Sequence, residues 1–360
     1  MKIKFLIRDL KIEGVQVVTI RLAKLLQSQG HNIEIITLHN DKELDNLSDL
    51  NIFCLDAPKN KTKTKELLPY FKEWYLQHNT FDYLIAPHSE CIKIISKFND
   101  SRLIPFIHNS DEHSYNQRGF FKKFKYRKKL QNRLKNKHVL CVSDSINKFI
   151  KKCGGKNILS INVLYNPFDI QEISIKSKSY KFNLPKKDYL LFIGRLEKQK
   201  RVDRLLRAFS LIKDKSITLI ILGEGSLSKT LEQLAQELGI KNRVIFKKFE
   251  TNPYPIIKSA KGLLLTSDHE GLPTVIIEAL ILNVPAISTN CPSGPSEILT
   301  GNLSQYLIDS YDENVIAQHI DQVLSMTSHP HLSEGYRKFH QDHIYQSFLE
   351  IVSQWKNSDH

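Results

Sequence analysis

Short apolar runs alternate with longer stretches of helical spacing along nearly the whole chain. Residues 2–8 are apolar enough for a first strand. Across residues 15–29, Val18, Leu22, Leu25 and Leu26 recur at helical spacing, and Gly30 is placed to stop the helix. Residues 32–38 alternate loosely and are rich in β-formers, so they predict a second strand. These pieces make a strand–loop–helix–strand unit of the Rossmann kind. It lacks Gly-x-Gly-x-x-Gly: only Gly14 lies at the strand-to-helix turn, where it either lets a phosphate approach the backbone or merely serves the turn. Residues 42–65 read as irregular and polar. Helices follow at 67–78 and 90–98, and strands at 83–86 and 103–108. His108 ends the last of these, facing the same side as Gly14, in either a structural or a functional role. After a polar loop at 109–117, residues 118–137 have helix-forming composition. A strand at 139–143, a helix at 146–152 ended by Gly154-Gly155 and a strand at 161–165 complete the first half. Residues 170–186 carry no periodicity and read as a linker or the entry to a second domain.

The second half restarts the pattern. Strands are predicted at 189–193, 217–222, 244–249, 263–266 and 284–288, with helices at 202–212, 227–238 and 254–260 and final helices at 312–326 and 337–354. Such alternation predicts an α/β fold with parallel sheets covered by helices on both faces. Ligands of such sheets bind beyond the carboxyl ends of the strands. Arg195, Lys200, Gly223, Gly225, Glu270 and Gly294 all fall there.

The stretch from Ser267 to Leu282 concentrates the chemistry. Pro273 suits the first turn of a helix, followed by Val275, Ile276, Ile277, Ala279, Leu280 and Ile281. Glu270 then precedes the helix and Glu278 lies in its second turn. A carboxylate among apolar neighbours is costly to bury unpaired, so Glu278 wants a donor, and a ligand hydroxyl would serve. A helix start offers free N–H groups to a phosphate. The plain alternative is one capping and one salt-bridged glutamate.

A length of 360 residues fits about two domains. No apolar run approaches the ~20 residues of a membrane span, and the first residues read as a strand, not a signal peptide. The five cysteines are scattered without a Cys-x-x-Cys pair, which suits free thiols in a reducing cytosol. The net charge of +14 is uneven. No acid lies between Glu112 and Asp144, an interval holding Arg118, Lys122, Lys123, Lys125, Arg127, Lys128, Lys129, Arg133, Lys135 and Lys137. The block points to an anionic partner: nucleic acid, an anionic membrane or a diphosphate-bearing acceptor. Phe120, Phe121 and Phe124 among lysines resemble an interfacial helix on anionic lipid, centred on Lys122, Lys123, Lys125 and Lys128. A solvated basic face is the alternative.

Gly194-Arg195-Leu196 with Lys200, Gly223-Glu224-Gly225, and Glu270 and Glu278 with seven residues between them resemble the C-terminal half of glycosyltransferase family 4. Cys291-Pro-Ser-Gly-Pro-Ser-Glu-Ile-Leu resembles members that build bacterial surface polysaccharides. The resemblance implies a GT-B fold: two Rossmann-like domains facing across a cleft, with a C-terminal helix crossing back. That divides the chain into an acceptor domain at 1–168, a nucleotide-sugar donor domain at 169–336 and the returning helix at 337–360. It implies retaining transfer of a hexose or N-acetylhexosamine from a nucleoside-diphosphate sugar, such as a UDP-sugar, to a glycan or lipid-linked acceptor.

Carried over by position, Arg195 and Lys200 hold the donor diphosphate, Glu278 the ribose hydroxyls and Glu270 the hydroxyls of the moving sugar. Gly194, Gly271, Leu272 and Pro273 line the donor site. Gly223, Gly225 and residues 249–253 lie near the base. Gly14 approaches the phosphate, and His108 sits beside sugar and acceptor. The first loop departs from the family, with Glu13-Gly14 where many members have Gly-Gly. The chain has no Asp-x-Asp, so two cations replace a metal, and no cofactor is expected beyond the donor substrate. The expected location is cytoplasmic, peripheral on the inner face of the cytoplasmic membrane, with no nucleic-acid partner. A nucleotide-sugar epimerase of the same fold and a basic nucleic-acid-binding protein are the competing readings.

Overall fold

The computed structural model describes residues 1–45, 47–155, 157–179 and 187–358. The chain divides into two compact units, Met1–Phe168 with Phe339–His360, and Asp169–Lys338.

In unit 1 the strands are β1 (Lys2–Ile7), β2 (Asn32–Thr37), β3 (Asn51–Cys54), β4 (Tyr83–Ala86), β5 (Leu103–Ile107), β6 (His138–Cys141) and β7 (Ser160–Val163). The helices are α1 (Gly14–Ser28), α2 (Thr64–His78), α3 (Ser89–Ile95), α4 (Glu112–Asn116), α5 (Phe120–Leu134) and α6 (Asp144–Gly154). The sheet runs β3-β2-β1-β4-β5-β6-β7, all parallel. Parallel strands are covered on both faces, hence their continuous apolar runs. Two elements contradict the sequence reading. The stretch read as irregular contains β3, an edge strand held by backbone pairing to β2 and only half buried. The polar loop after β5 contains α4.

Unit 2 contains α7 (Ile170–Lys176), β8 (Tyr189–Ile193), α8 (Val202–Leu211), β9 (Thr218–Leu222), α9 (Ser228–Glu237), β10 (Val244–Lys247), α10 (Tyr254–Lys258), β11 (Gly262–Leu265), α11 (Thr274–Ile281), β12 (Ala286–Thr289), α12 (Pro295–Ile298), β13 (Leu307–Ile308) and α13 (Glu313–Leu324). Its sheet, β10-β9-β8-β11-β12-β13, is also wholly parallel. The start of the expected linker is instead α7, capped by the Asp169 carboxylate, which accepts from the Glu172 N–H at 2.9 Å. Residues 180–186, also read as linker, lie outside the described residues.

The chain returns to unit 1 in α14 (Gln341–Ser358). Its buried residues Ile344, Phe348, Ile351, Val352 and Trp355 recur at helical spacing. Trp355 packs on Tyr83 and His138, each at 5.1 Å between ring centres. The returning helix is therefore part of the unit 1 core.

Candidate active site

In each sheet the strand order reverses beside one central strand, between β1 and β4 in unit 1 and between β8 and β11 in unit 2. Loops leaving such a pair open a crevice at the carboxyl edge.

In unit 2 the crevice is lined by the loop from Gly194 to Arg201 and the loop from Thr266 to Pro273. Charged and polar bonds stitch the two together. Lys200 Nζ donates to both oxygens of Glu270, at 2.7 and 2.9 Å. The Ser267 hydroxyl donates to Oε1 of Glu270 at 2.5 Å. Gln199 donates to the His269 carbonyl at 2.7 Å, and the Asp268 N–H to the Gln199 carbonyl at 2.9 Å. Arg204, buried on α8, donates to the Thr266 carbonyl at 2.7 Å and to Asp268 at 2.8 Å. Arg201 takes a left-handed backbone, φ 48°, and its carbonyl accepts from the Thr266 hydroxyl at 3.0 Å.

This arrangement leaves definite capacity unused. An ammonium has three donors; Lys200 gives two to Glu270. A carboxylate has about four acceptor positions; Glu270, itself buried, fills three. Arg195 is exposed and, among the described residues, has no ion-pair partner. Pro273 precedes the first residue of α11 and, as its N-cap, offers no side-chain cap. Glu278 is buried in the second turn. Lys200 therefore keeps one donor for an anion, and Glu270 one acceptor position for a hydroxyl.

The glycines divide into two kinds. A Cβ on Gly223 would lie 1.9 Å from the Gly194 carbonyl oxygen, and one on Gly225 2.4 Å from the Leu196 carbonyl. The chain's own backbone thus accounts for both. Gly294, at φ 92°, would put a Cβ 2.4 Å from Pro273, so the loop after β12 presses on the start of α11. Gly14 differs: beyond its chain neighbours and its own helix backbone, no atom of the described residues lies within 4 Å of its Cβ position, and its φ is ordinary, so neither turn nor packing requires glycine there.

Unit 1 places a different chemistry at its carboxyl edge. Arg8 donates to Asp9 and Glu13, both at 2.8 Å, and Gln16 donates to Asp9 at 2.7 Å. Asp9 is held below the usual carboxylate range: burial alone would raise it, but its bonds from Arg8 and Gln16 outweigh that.. His108, just after β5, is buried, and burial together with the charge of His88 pushes its pKa down to about 3. His88, just after β4, is lowered to about 4, by burial first and then by Arg8. The Nε2 atoms of both rings are buried without a partner among the described residues.

Sequence reasoning missed four participants. His88 follows β4, the strand beside the switch point, much as His108 follows β5. Arg204 is a cation on the apolar face of α8. Ser267 precedes Glu270 by one helical turn's spacing. Ser293 combines a left-handed backbone, φ 70°, with a buried hydroxyl that has no partner among the described residues, next to Gly294. Only the structure reveals that strain.

The basic block forms α5, with Leu130 and Leu134 buried and Tyr126 against Tyr115 at 5.3 Å. Phe120, Phe121 and Phe124 are 81%, 85% and 65% exposed. Lys137 is not part of that surface. Its buried ammonium donates to the Phe98 and Asp100 carbonyls at 2.7 and 2.6 Å, and burial lowers its pKa to about 8.

Two family models cover most of the chain: Glycosyltransferase Family 4 matches residues 12–172, and Glycosyl transferases group 1 matches residues 174–338. An uncharacterized glycosyltransferase of Methanocaldococcus jannaschii is 31% identical over 286 residues, 75% of this chain and 68% of the relative. A Campylobacter jejuni α-1,4-N-acetyl-D-galactosaminyltransferase, whose name specifies a diNAcBac-PP-undecaprenol-linked glycan, is 26% identical over 99% of this chain and 100% of its own length. Among solved structures, Anabaena HepE in complex with UDP and glucose aligns with a TM-score of 0.80 at 19% identity, covering 98% of this chain and 100% of that one. The lipopolysaccharide outer core galactosyltransferase WaaB aligns at 0.69 and 21%, covering 98% and 99%. At such identities these structures establish the fold alone, which is GT-B. The matched models and the Methanocaldococcus relative establish that the chain belongs to glycosyltransferase family 4.

Proposed function

We propose that this protein moves a hexose or N-acetylhexosamine from a UDP-sugar to a hydroxyl of a glycan or lipid-linked acceptor, in the synthesis of cell-surface polysaccharide or lipopolysaccharide. The observation that carries the reading is the Lys200–Glu270 pair, which ties the loop that carries Arg195 to the loop that leads into α11. Lys200 and Arg195 hold the diphosphate, with Gly271, Leu272 and Pro273 leading into the helix start. Fixed cations stabilise the charge that develops on the leaving diphosphate. Glu270 offers its remaining acceptor position to a hydroxyl of the moving sugar, and Glu278 serves the ribose. Gly194, Gly223 and Gly225 shape the loops around the nucleotide, near the base. Gly14 leaves the start of α1 open to a phosphate, and His108 faces the sugar and acceptor.

In the reaction the bond from C1 to the diphosphate oxygen breaks. The acceptor oxygen bonds to C1 from the same face, so configuration is retained, and its proton passes to the leaving phosphate. Glu270 is not a nucleophile in this scheme. The two cations do the work that a metal does in other transferases, so turnover needs no metal. The aromatic end of α5, with Lys122, Lys123, Lys125 and Lys128, rests on the anionic inner face of the cytoplasmic membrane. The name of the Campylobacter relative, with its undecaprenol-linked glycan, supports a lipid-linked acceptor.

Thermal unfolding with UDP, GDP, ADP and CMP, with and without EDTA, tests the donor reading. The expected result is stabilisation by UDP that EDTA does not alter, reaching ~2.7 kcal/mol at a hundredfold excess over Kd. Absence of a shift at millimolar nucleotide would overturn it. Release of free UDP only when acceptor is present separates transfer from epimerisation. Neutralising Lys122, Lys123, Lys125 and Lys128 should weaken binding to anionic vesicles; unchanged binding would remove the membrane contact.

A further inference from the structure

Lys200 and Glu270 lie 70 residues apart in sequence, and each is held through its neighbours. On the lysine side, Arg201 takes the left-handed backbone, φ 48°. A Cβ disfavours that region, which glycine enters freely. The arginine side chain does what glycine could not. It donates to Asp203 from Nε and Nη2, both at 3.0 Å, and from Nη1 to the two oxygens of Asp268 at 3.4 and 3.5 Å.

On the glutamate side, Asp268 also accepts from Arg204 at 2.8 Å, and its own N–H donates to the Gln199 carbonyl at 2.9 Å. It is therefore bonded to both neighbours of Lys200. Arg204 is buried on α8, with its other arm on the Thr266 carbonyl at 2.7 Å and its guanidinium 4.4 Å from the Tyr311 ring centre. The charges balance: Lys200, Arg201 and Arg204 pair with Glu270, Asp203 and Asp268. By charge alone, a carboxylate so near Lys200 opposes the binding of an anion there. What Asp268 supplies is geometry.

We propose that Asp268 is a positioning residue for transfer. Bonded on either side of Lys200 and anchored to α8 through Arg204, it fixes where Glu270 stands against Lys200. The inference rests on the reading above that Lys200 holds the donor diphosphate and Glu270 a hydroxyl of the moving sugar. A reacting group misplaced by about 1 Å can lose about 100-fold in rate, so a slack Asp268 lowers turnover without touching substrate.

Two single variants break the same contact while changing the charge in opposite directions. Asp268→Asn removes a negative charge and keeps the side chain's shape. Arg201→Gly removes a positive charge and lets the left-handed turn persist. Transfer is followed as UDP released from whichever of UDP-glucose, UDP-galactose and their N-acetylamino forms the wild-type protein consumes. An effect of the field would move kcat in opposite directions in the two variants. Loss of position lowers it in both, by about 10–100-fold, and the double variant is no slower than the slower single one. The Kd of UDP follows charge instead: unchanged or tighter for Asp268→Asn, weaker for Arg201→Gly. A merely structural role would weaken UDP binding in Asp268→Asn in step with kcat. That result overturns the proposal, as do opposite changes in kcat or additive losses in the double variant. If Asp268→Asn does not fold, Arg201→Gly decides: wild-type kcat there overturns the proposal, and a fall in kcat larger than its loss of UDP affinity supports it. UDP stabilisation of the wild-type protein tests the donor site separately. If it is present and both variants turn over normally, this inference fails and the donor reading stands.

Discussion

The two units share a strand order around their switch points but furnish the loops there in opposite ways. In unit 2 the crevice is stitched by charge: Lys200 to Glu270, Arg204 to Asp268, with backbone packed against backbone at Gly223 and Gly225. In unit 1 the charged groups Arg8, Asp9 and Glu13 satisfy one another, and what remains are two neutral imidazoles and an open helix start. The difference teaches that one topology can present an ionic surface and a neutral one. A diphosphate needs the former. Sugar hydroxyls, which both donate and accept, suit the latter.

The largest expected effect breaks the ionic side. Lys200→Ala, Glu270→Ala and Arg195→Ala should each lower kcat about 100–1,000-fold, or ~2.7–4 kcal/mol of barrier. Arg195→Ala should leave the melting temperature unchanged, because that side chain is exposed. Glu270→Ala should lower it as well, since Lys200 loses its acceptor. Near-wild-type turnover in all three would remove the ionic crevice from the chemistry. Gly223→Ala comes next. Its Cβ cannot avoid the Gly194 carbonyl, so backbone must move, at ~1–3 kcal/mol or more. Denaturant unfolding should register the loss, and an unchanged midpoint would show the loops to be pliable.

The neutral side is tested by acid. His88 and His108 have native pKa values of about 4 and about 3, below the ordinary value of 6.5. The unfolded chain therefore binds more protons below pH 6.5, and stability falls as pH drops from there toward 4. Each histidine contributes at most ~1.4 kcal/mol per pH unit. The facing charged groups are Arg8, Asp9, Glu13 and Glu90. The double variant His88→Gln, His108→Gln should flatten this limb between pH 6 and 5. A slope equal to wild type would mean that the rings are protonated in the fold. The smallest effect is Gly14→Ala, which should stabilise by ~0.4–1 kcal/mol because the site has room and an ordinary backbone. Lost activity with a raised melting temperature would then report ligand approach; a lowered one would contradict the open space.

The architecture was legible because fully buried parallel strands are continuous apolar runs, as at Tyr189–Ile193 and Thr218–Leu222. β3 was hidden because Asn51–Cys54 is an edge strand that backbone pairing specifies more than side-chain burial. α7 was hidden in a polar stretch where only the Asp169 cap marks a start. At the site, Lys200 and Glu270 were readable as charges at strand ends, but their mutual bond was not, since 70 residues separate them. Gly223 and Gly225 were read through the resemblance as neighbours of the base. Their backbone contacts, invisible in sequence, are reason enough for glycine. Arg204 could have been found as a cation on the apolar face of a predicted helix, whereas Ser293 depends on backbone strain, which no spacing encodes.

The return of α14 has a consequence for the order of assembly. Phe168 and the segment from Phe339 pair side by side, the Phe168 N–H to the Phe339 carbonyl at 2.9 Å and the Gln341 N–H to the Phe168 carbonyl at 3.2 Å. In chain order, all of unit 2 is thus inserted between two segments of unit 1 that pair with each other. During synthesis the earlier-made unit waits, with the places of Phe348 and Trp355 unfilled, while the later-made, continuous unit can already close. The first unit to be translated is the last to be completed, and its apolar face against Tyr83 stays open to aggregation or chaperone binding for that interval.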